Sequence, residues 1–203
     1  MPDHSQPLLE ADAAASPFDQ FAVWYAEASA VVRVPEAMAV ASADLEGRPS
    51  VRMVLMKGWD EAGFVFFTQY RSRKAHELDS NPRAALLFHW DELGRQVRIE
   101  GPVARVSAAE SDDYFATRPF GAQISAHVSH QSETVESRPL LDEGVRRLSA
   151  SYAGAVVPRP DSWGGYRVDA EIFEFWQNRD DRLHDRLRYR RSNGAFIIDR
   201  LQP

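Results

Sequence analysis

The sequence predicts a mainly β protein of the α+β class, built as a closed or nearly closed antiparallel β-barrel with peripheral helices. Short strand-like runs, bounded by glycine, asparagine, aspartate and proline turn signals, recur along most of the 203 residues, whereas only a few segments have helical spacing. Many short strands with a few interspersed helices are typical of a barrel. A chain of this length without an internal repeat is expected to bury one core.

The N-terminal region divides at Ser16. Residues 1–15 mix proline, alanine, serine and acidic residues without periodicity, so we predict a flexible arm before a single domain over residues 16–203. Ser16 and Pro17 are the residue types that favour the N-cap and first turn of a helix. Ordered structure is therefore predicted to start with a helix.

Three further helices are predicted to begin after the serines at positions 72, 107 and 137. The first is short and is stopped by Asn81-Pro82, and the second has a capping box with Glu110 and runs to Pro119. The third is expected to turn one apolar face toward a core, formed by Leu141, Val145, Leu148 and Tyr152.

Strands are predicted from alternation and turn signals at residues 37–42, 50–57, 63–69, 84–90, 96–106, 166–168, 172–176, 182–190 and 195–199. We interpret the first three as a β-meander. Asn193-Gly194 has the composition of a tight hairpin turn, so the last two strands are expected to pair.

The bulk composition excludes several classes of function. A formal charge of −6 argues against a general nucleic-acid binder, so any anion site must be local. The absence of cysteine excludes disulfides, thiolate catalysis and zinc–thiolate sites, and the six histidines lack metal-ligand spacing, so we predict no metal. No apolar run reaches the length of a membrane span, and no leader is recognisable, which predicts a cytoplasmic protein without membrane contact.

The segment from Arg182 to Arg188 is unusually cationic. If it is extended, Arg182, His184, Arg186 and Arg188 share one face of a strand while the leucines point the other way. Like charges on one face repel, so an anionic ligand would explain the pattern. A solvated edge strand whose charges discourage aggregation explains it equally well.

Two other segments are candidates for anion binding. Arg52 and Lys57 lie at the two ends of one predicted strand, roughly 16 Å apart, which matches a ligand with a phosphate and a planar ring. Ser72-Arg73-Lys74 opens a helix after a strand, where free N–H groups and two cations favour phosphate. The alternatives are strand-end charges in water and an exposed basic first turn.

Weaker candidates lie later in the chain. Tyr114 and Arg118 share a helix face and can reach one anion, although a simple stacking contact explains the pair as well. Gln131-Ser132 can donate hydrogen bonds to a ligand or belong to an ordinary loop. Trp176 can stack on a planar ring or lie in the core.

Taken together and in order, these segments resemble the pyridoxamine 5′-phosphate oxidase family over about residues 16–203. The motifs that carry the resemblance are RMVLMK, FFT, SRKAHEL, NPRAALLFHW, RQVRIEG, YFATRP, SHQS, WGGYRV, EFWQ, RLHDRLRY and the terminal RLQP. The resemblance implies an FMN-binding split β-barrel that forms a homodimer with FMN at the subunit interface. It also implies oxidation of pyridoxine or pyridoxamine 5′-phosphate by molecular oxygen, giving pyridoxal 5′-phosphate and hydrogen peroxide.

The resemblance also implies roles for individual residues. The family's flavin contacts fall on Arg52, Met53, Val54, Leu55, Lys57, Phe67, Thr68, Arg73, Lys74, Gln96, Gln131, Ser132, Trp176 and Arg186. Its contacts with the small anionic substrate fall on Lys57, Tyr114, Arg118, Arg182 and His184. Arg182 and His184 are the expected catalytic residues, which hold the substrate ring over the flavin.

Several departures from the family pattern, among them Phe120, Ser125 and His127, leave the substrate open. Residues 1–15 contain neither arginine nor tyrosine, whereas many members carry an Arg-x-x-Tyr element there, and Ala122 stands where many relatives have a phosphate-binding serine. The related phenazine-biosynthesis flavin oxidases, which act on reduced phenazine carboxylates, are the first alternative. A flavin or pyridoxal-phosphate binding protein without turnover is the second.

Overall fold

The computed structural model describes residues 7–203. Its helices are α1 Pro17–Val31, α2 Arg73–Ser80, α3 Ala108–Thr117, α4 Phe120–Val128 and α5 Arg138–Ser151. Short 3-10 helices cover Asp91–Leu93 and Asp180–Arg182. Within residues 7–203, no helix is both long enough and apolar enough to cross a bilayer.

The strands are β1 Ala37–Ala43, β2 Pro49–Leu55, β3 Gly58–Asp60, β4 Gly63–Gln69, β5 Arg83–Trp90, β6 Arg95–Arg105, β7 Trp163–Val168, β8 Ile172–Gln177, β9 Asp185–Ser192 and β10 Ala195–Arg200. They form one antiparallel sheet in the order β10-β9-β8-β6-β5-β1-β2, and β7 joins β6 to β4, which pairs with β3. The sheet curls into a half-barrel, which confirms the predicted fold class.

Strand β6 turns the sheet back on itself near Gly101. Its first half pairs with β8 as far as Glu100, and from Val103 onward it pairs with β7 instead. At this corner the carbonyl oxygen of Asp169 approaches Gly101 so closely that a Cβ atom there would lie 1.7 Å from it. Only glycine fits such a corner, where the connection between β7 and β8 crosses β6.

Aromatic side chains fill the inside of the half-barrel. Phe21 of α1 is fully buried against Phe64 and Phe88, with ring centroids 4.9 and 5.2 Å away, and Trp24 packs edge-on against Phe175 at 5.2 Å. Helix α1 begins as predicted, because the Ser16 side chain accepts a hydrogen bond from the Phe18 N–H. This helix therefore closes one side of the core.

The N-terminal arm contacts the barrel over the part that the structure describes. Leu8 is buried, and its N–H donates to Asp185 at 3.1 Å. Arg200 donates to both carboxylate oxygens of Glu10 at 2.7 Å, and Tyr189 donates to the Ala14 carbonyl at 2.8 Å. Residues 1–6 lie outside the described residues, and the division at residue 16 stays a prediction.

Several predicted elements need correction. The β-meander is wrong, because β1 pairs with β2 and β5, while β4 pairs with β3 and β7. Helix α4 is an addition to the predicted elements; its sequence mixes apolar, small and polar residues, and only Ile124 and Ala126 are buried. The apolar face of α5 is only half-buried, since Val145, Leu148 and Tyr152 pack on a small peripheral cluster.

Candidate functional site

Most of the predicted site residues line one cavity of about 740 Å³, which we call the basic cavity. Strand β2, the end of β4, the first turn of α2, the end of α3 and the loop after α4 form its walls. The predicted residues among its lining are Arg52, Met53, Val54, Leu55, Lys57, Phe67, Thr68, Arg73, Lys74, Tyr114, Arg118, Gln131 and Ser132. Candidates predicted from separate segments of the sequence therefore meet in space.

The lining of the basic cavity carries only one sign of charge. Its cationic side chains are Arg52, Lys57, Arg73, Lys74 and Arg118, and none of the described residues that line it is acidic. Cations gathered around a concave surface raise the local concentration of anions. The charge of the lining therefore suits an anionic ligand, and binding at these residues stays a prediction.

Lys74 is the most buried of these cations. Its ammonium group donates to Thr68 Oγ1 at 2.9 Å, Ser72 Oγ at 3.3 Å and Gln131 Oε1 at 2.6 Å. Burial, with repulsion from Arg52, lowers the pKa of Lys74 to about 8, although Glu77 raises it. Ser72 directly precedes α2, as predicted. Its side-chain oxygen faces Lys74, so it makes no side-chain cap.

The carboxylate of Glu77, which lies below the cavity, binds both Arg52 and Arg73. Arg73 Nε lies 2.8 Å from Glu77 Oε1, and Arg52 Nη2 lies 3.3 Å from Glu77 Oε2. Burial opposes ionisation of Glu77, but hydrogen bonds from Ser42, Ser50 and both arginines outweigh it and lower its pKa to about 2. Glu77 is therefore ionised at neutral pH, and sequence reasoning did not identify it as a site residue.

An aromatic wall closes the other end of the basic cavity. Phe67 stacks on Tyr114 with ring centroids 4.1 Å apart, and on Trp163 at 5.3 Å. Trp163 was not predicted as a site residue. The sequence signal for this wall is the glycine pair that follows Trp163. A Cβ atom on Gly165 would lie 2.8 Å from the Phe67 ring, so the glycine leaves room for that ring.

Arg118 lies over this wall with an unused donor. Its guanidinium carbon is 4.5 Å from the Trp163 ring centroid, and its Nη1 atom is buried without a hydrogen-bond partner among the described residues. Burial lowers the pKa of Arg118 and raises that of Tyr114, which keeps the phenol protonated as a donor. An unpaired buried cationic donor at a cavity is a feature of an anion site.

The remaining predicted residues lie on β6 and β8 and between positions 182 and 186, and we call them the second cluster: Gln96, Trp176, Arg182, His184 and Arg186. Gln96 pairs with Trp176 across β6 and β8, and Trp176 pairs with Arg186 across β8 and β9. The His184 ring lies 4.5 Å from the Trp176 ring. This cluster does not line the basic cavity, and β5 and β1 separate its strands from β2 in the sheet.

The predicted cationic row needs a correction. Strand β9 begins at Asp185, so Arg182 and His184 lie in a turn before it, and Asp181 and Arg182 have left-handed backbone angles. The exposed Leu183 consequently does not face the core. From Arg186 onward the alternation holds, but these arginines are paired, Arg186 with Glu174 at 2.8 Å and Arg188 with Asp199 at 2.9 Å.

Among residues 7–203, no group of three or more histidines and carboxylates is arranged to hold a metal ion. The residues present fit a phosphorylated ligand better than a metal ion. The basic cavity combines the start of α2, the buried Lys74 ammonium and an Arg118 donor that has no partner among the described residues. The aromatic wall adds a flat surface for a ring. A flavin mononucleotide or a phosphorylated pyridine matches these features.

Two family models match this chain. Residues 25–158 match the model described as pyridoxamine 5′-phosphate oxidase. Residues 163–203 match the pyridoxine 5′-phosphate oxidase C-terminal dimerisation region. The second match supports the predicted homodimer, and its residue range includes every member of the second cluster except Gln96.

Similar proteins agree with these matches. A pyridoxine/pyridoxamine 5′-phosphate oxidase of Bordetella petrii is 55% identical over 198 residues, covering 97% of this chain and 93% of that protein. One from Rubrobacter xylanophilus is 52% identical over 197 residues, covering 97% and 91%. PhzG from Burkholderia lata 383, solved with tetrahydrophenazine-1-carboxylic acid, is 34% identical with a TM-score of 0.91, covering 97% and 98%. The chain therefore belongs to the pyridoxamine 5′-phosphate oxidase family of flavin-dependent oxidoreductases.

Proposed function

We propose that this protein is an FMN-dependent oxidase that converts pyridoxine or pyridoxamine 5′-phosphate to pyridoxal 5′-phosphate, with O2 as acceptor and H2O2 as product. The observation that carries the proposal is the basic cavity, where cationic side chains meet an aromatic wall and none of the lining residues within 7–203 is a carboxylate. Relatives named for this reaction at 52% and 55% identity support it. The protein is proposed to work in the cytoplasm.

The flavin phosphate is proposed to lie at the first turn of α2. There Arg73 and Lys74 offer charge, and Gln131 and Ser132 offer neutral polar groups. The outer face of β2 would lie along the flavin ring, with Met53 and Leu55 64% and 41% exposed. An exposed apolar strand face beside a cationic helix start suits a ligand with a ring at one end and a phosphate at the other.

The substrate phosphate is proposed to bind at the opposite end, between Lys57, Tyr114 and Arg118. The buried Arg118 Nη1 would then gain an acceptor, and the protonated Tyr114 would donate to the same anion. Charge-assisted hydrogen bonds of this kind are stronger than neutral ones. The substrate's pyridine ring would lie between this phosphate site and the flavin.

The oxidation itself removes two electrons and two protons from the 4′-carbon substituent of the substrate. When bound, FMN would be the two-electron acceptor and would pass the electrons to O2, which takes up two protons to become H2O2. Arg182 and His184 would orient the substrate ring and exchange the proton of its 4′-hydroxyl or amino group. Pyridoxine phosphate gives the aldehyde directly, whereas the amine gives an imine that water hydrolyses to aldehyde and ammonia.

Each complete site is proposed to contain residues of two subunits. In one chain the second cluster lies on strands separated from the basic cavity, so a second copy would bring its Gln96, Trp176 and Arg186 against the flavin. The exposed apolar face of β2 would be covered in the same contact. FMN would thus lie at the interface of a homodimer.

Phenazine oxidation is the second candidate function. It is favoured by the likeness to PhzG and by the absence of arginine and tyrosine from residues 1–15. Against it, the relatives named for vitamin B6 phosphates are more similar to this chain, at 52% and 55% against 34% identity. The cations of the basic cavity also suit a phosphate dianion better than a carboxylate.

A direct assay tests the proposed function. The purified protein, supplied with FMN, is mixed in air with pyridoxine 5′-phosphate, pyridoxamine 5′-phosphate or a reduced phenazine carboxylate. We expect pyridoxal 5′-phosphate to appear in step with oxygen uptake and hydrogen peroxide. Inertness toward both vitamin B6 phosphates, with oxygen uptake on the phenazine precursor, would favour the second function.

The pKa of Lys74 predicts a pH dependence of FMN binding. The FMN phosphate carries its second charge above about pH 6, and Lys74 loses its proton above a pKa of about 8. Affinity should therefore be highest between these values and fall as pH rises beyond 8, by at most roughly tenfold per pH unit. Fluorescence titration with riboflavin, which lacks the phosphate, should show no such fall, and neither should FMN binding to Lys74→Met.

A further inference from the structure

Glu77 is a buried carboxylate directly below the basic cavity, one helical turn after Arg73. It is 5% exposed. Its Oε2 atom accepts from the hydroxyls of Ser42 at 2.6 Å and Ser50 at 2.5 Å, and from Arg52 at 3.3 Å, while Oε1 accepts from Arg73 at 2.8 Å. Such a site orients every donor around it.

We propose that Glu77 is the positioning residue of the flavin phosphate site, which fixes Arg52 and Arg73 toward the cavity and sets the net charge there. The inference rests on the proposed function, because it requires a phosphate at the start of α2. Arg52, Arg73 and Lys74 carry three positive charges, and Glu77 reduces the sum to two. That sum balances a phosphate monoester, which carries about −1.5 to −2 at pH 7.

The donors around Glu77 show why the charge is required. Both carboxylate oxygens accept hydrogen bonds, Oε2 from the serines and Oε1 from Arg73. A glutamine has one oxygen and one NH2 group, so its NH2 group faces a guanidinium donor in either orientation, Arg73 in one and Arg52 in the other. Because Ser42 and Ser50 also accept hydrogen bonds from Arg52, the loss extends to that guanidinium. Glutamine therefore cannot hold both arginines in place.

The test compares the affinities of FMN and riboflavin for the apoprotein. In Glu77→Gln we expect FMN affinity to fall roughly tenfold or more, because phosphate contacts are lost, and riboflavin affinity to change less than about twofold. In an Arg73→Ala background the same substitution should have a much smaller effect on FMN. Ser50→Ala, which keeps the carboxylate and removes one of its donors, should give a smaller loss of the same kind if Glu77→Gln does not fold.

Asp79→Asn is the matched control. Asp79 lies on the same helix and accepts from Arg105 at 2.6 Å and Tyr166 at 2.8 Å, but it does not line the basic cavity. It should lower stability without changing the ratio of FMN to riboflavin affinity. An unchanged ratio in Glu77→Gln, or equal losses of both ligands, would overturn the inference. Equal affinity of the unmodified protein for both ligands would instead contradict the proposed phosphate site itself.

Discussion

Arg182→Ala and His184→Ala are each expected to keep near-normal FMN content and to lower kcat/KM by roughly 10²-fold to 10⁴-fold, the usual contribution of acid–base and orienting groups. Arg186→Ala should lose FMN first. The physical reason is their different setting: Arg182 and His184 lie in the turn before β9, whereas Arg186 is fixed on the strand by Glu174 and the Gln202 carbonyl. Flavin absorbance and steady-state kinetics measure the two effects separately.

Arg190→Ala is the matched control for these variants. Arg190 lies further along β9 and forms the same kind of ion pair, with Asp199 at 2.7 Å. It neither lines the basic cavity nor belongs to the second cluster. It should keep both flavin content and kcat/KM. Loss of flavin in His184→Ala, or retention of flavin with low activity in Arg186→Ala, would contradict the division of roles between substrate and cofactor.

Arg118→Ala is expected to raise the KM for pyridoxine 5′-phosphate by roughly ten- to a hundredfold, equivalent to about 1.5–3 kcal/mol for a charge-assisted hydrogen bond. The buried Nη1 atom has no partner among the described residues, so a bound phosphate is its natural acceptor. The kcat value should change little, because the phosphate takes no part in the oxidation of the 4′-carbon. Initial-rate kinetics over a wide substrate range give both constants.

Unphosphorylated pyridoxine separates a phosphate contact from a general disturbance of the site. If Arg118 binds the phosphate, the variant and the unmodified protein should use pyridoxine equally poorly. An equal loss toward both substrates would show that Arg118 acts through its stacking on Trp163. FMN content, which should not change, serves as a check on folding.

Local signals were enough to predict much of the fold. Ser107 precedes α3 and its side chain accepts from the Glu110 N–H at 3.0 Å, as the capping pattern indicated. The barrel class followed from the number and spacing of short strands. Such features depend on neighbours in the sequence, which a single chain displays directly.

Features that depend on distant residues could not be predicted in this way. Alternation alone extended β9 back to Arg182, but the backbone there turns at Asp181 and Arg182, neither of which is glycine. Helix α4 is specified by burial of Ile124 and Ala126 in the small cluster around Trp163, which no local pattern reveals.

The candidate site also contains some residues that local sequence indicates and others that only the fold reveals. The sequence marked Arg73 and Lys74 at a helix start, but it did not indicate that Glu77, one turn later, is buried below the cavity with both Arg52 and Arg73. The pairing of β2 with β1, and the packing of α2 on β1, bring these residues together. The separation of the second cluster from the basic cavity likewise became visible only with the strand order.

Mixing two defective variants tests most directly the claim that each site combines the basic cavity of one subunit with the second cluster of its partner. Arg118→Ala damages the first half and His184→Ala the second, so homodimers of either variant should be nearly inactive at low substrate concentration. After subunit exchange, half of the dimers are hybrids with one intact site each, and activity should rise to about one quarter of the normal value. Activity that stays at the level of the separate variants, although exchange is demonstrated, would contradict a site shared between subunits.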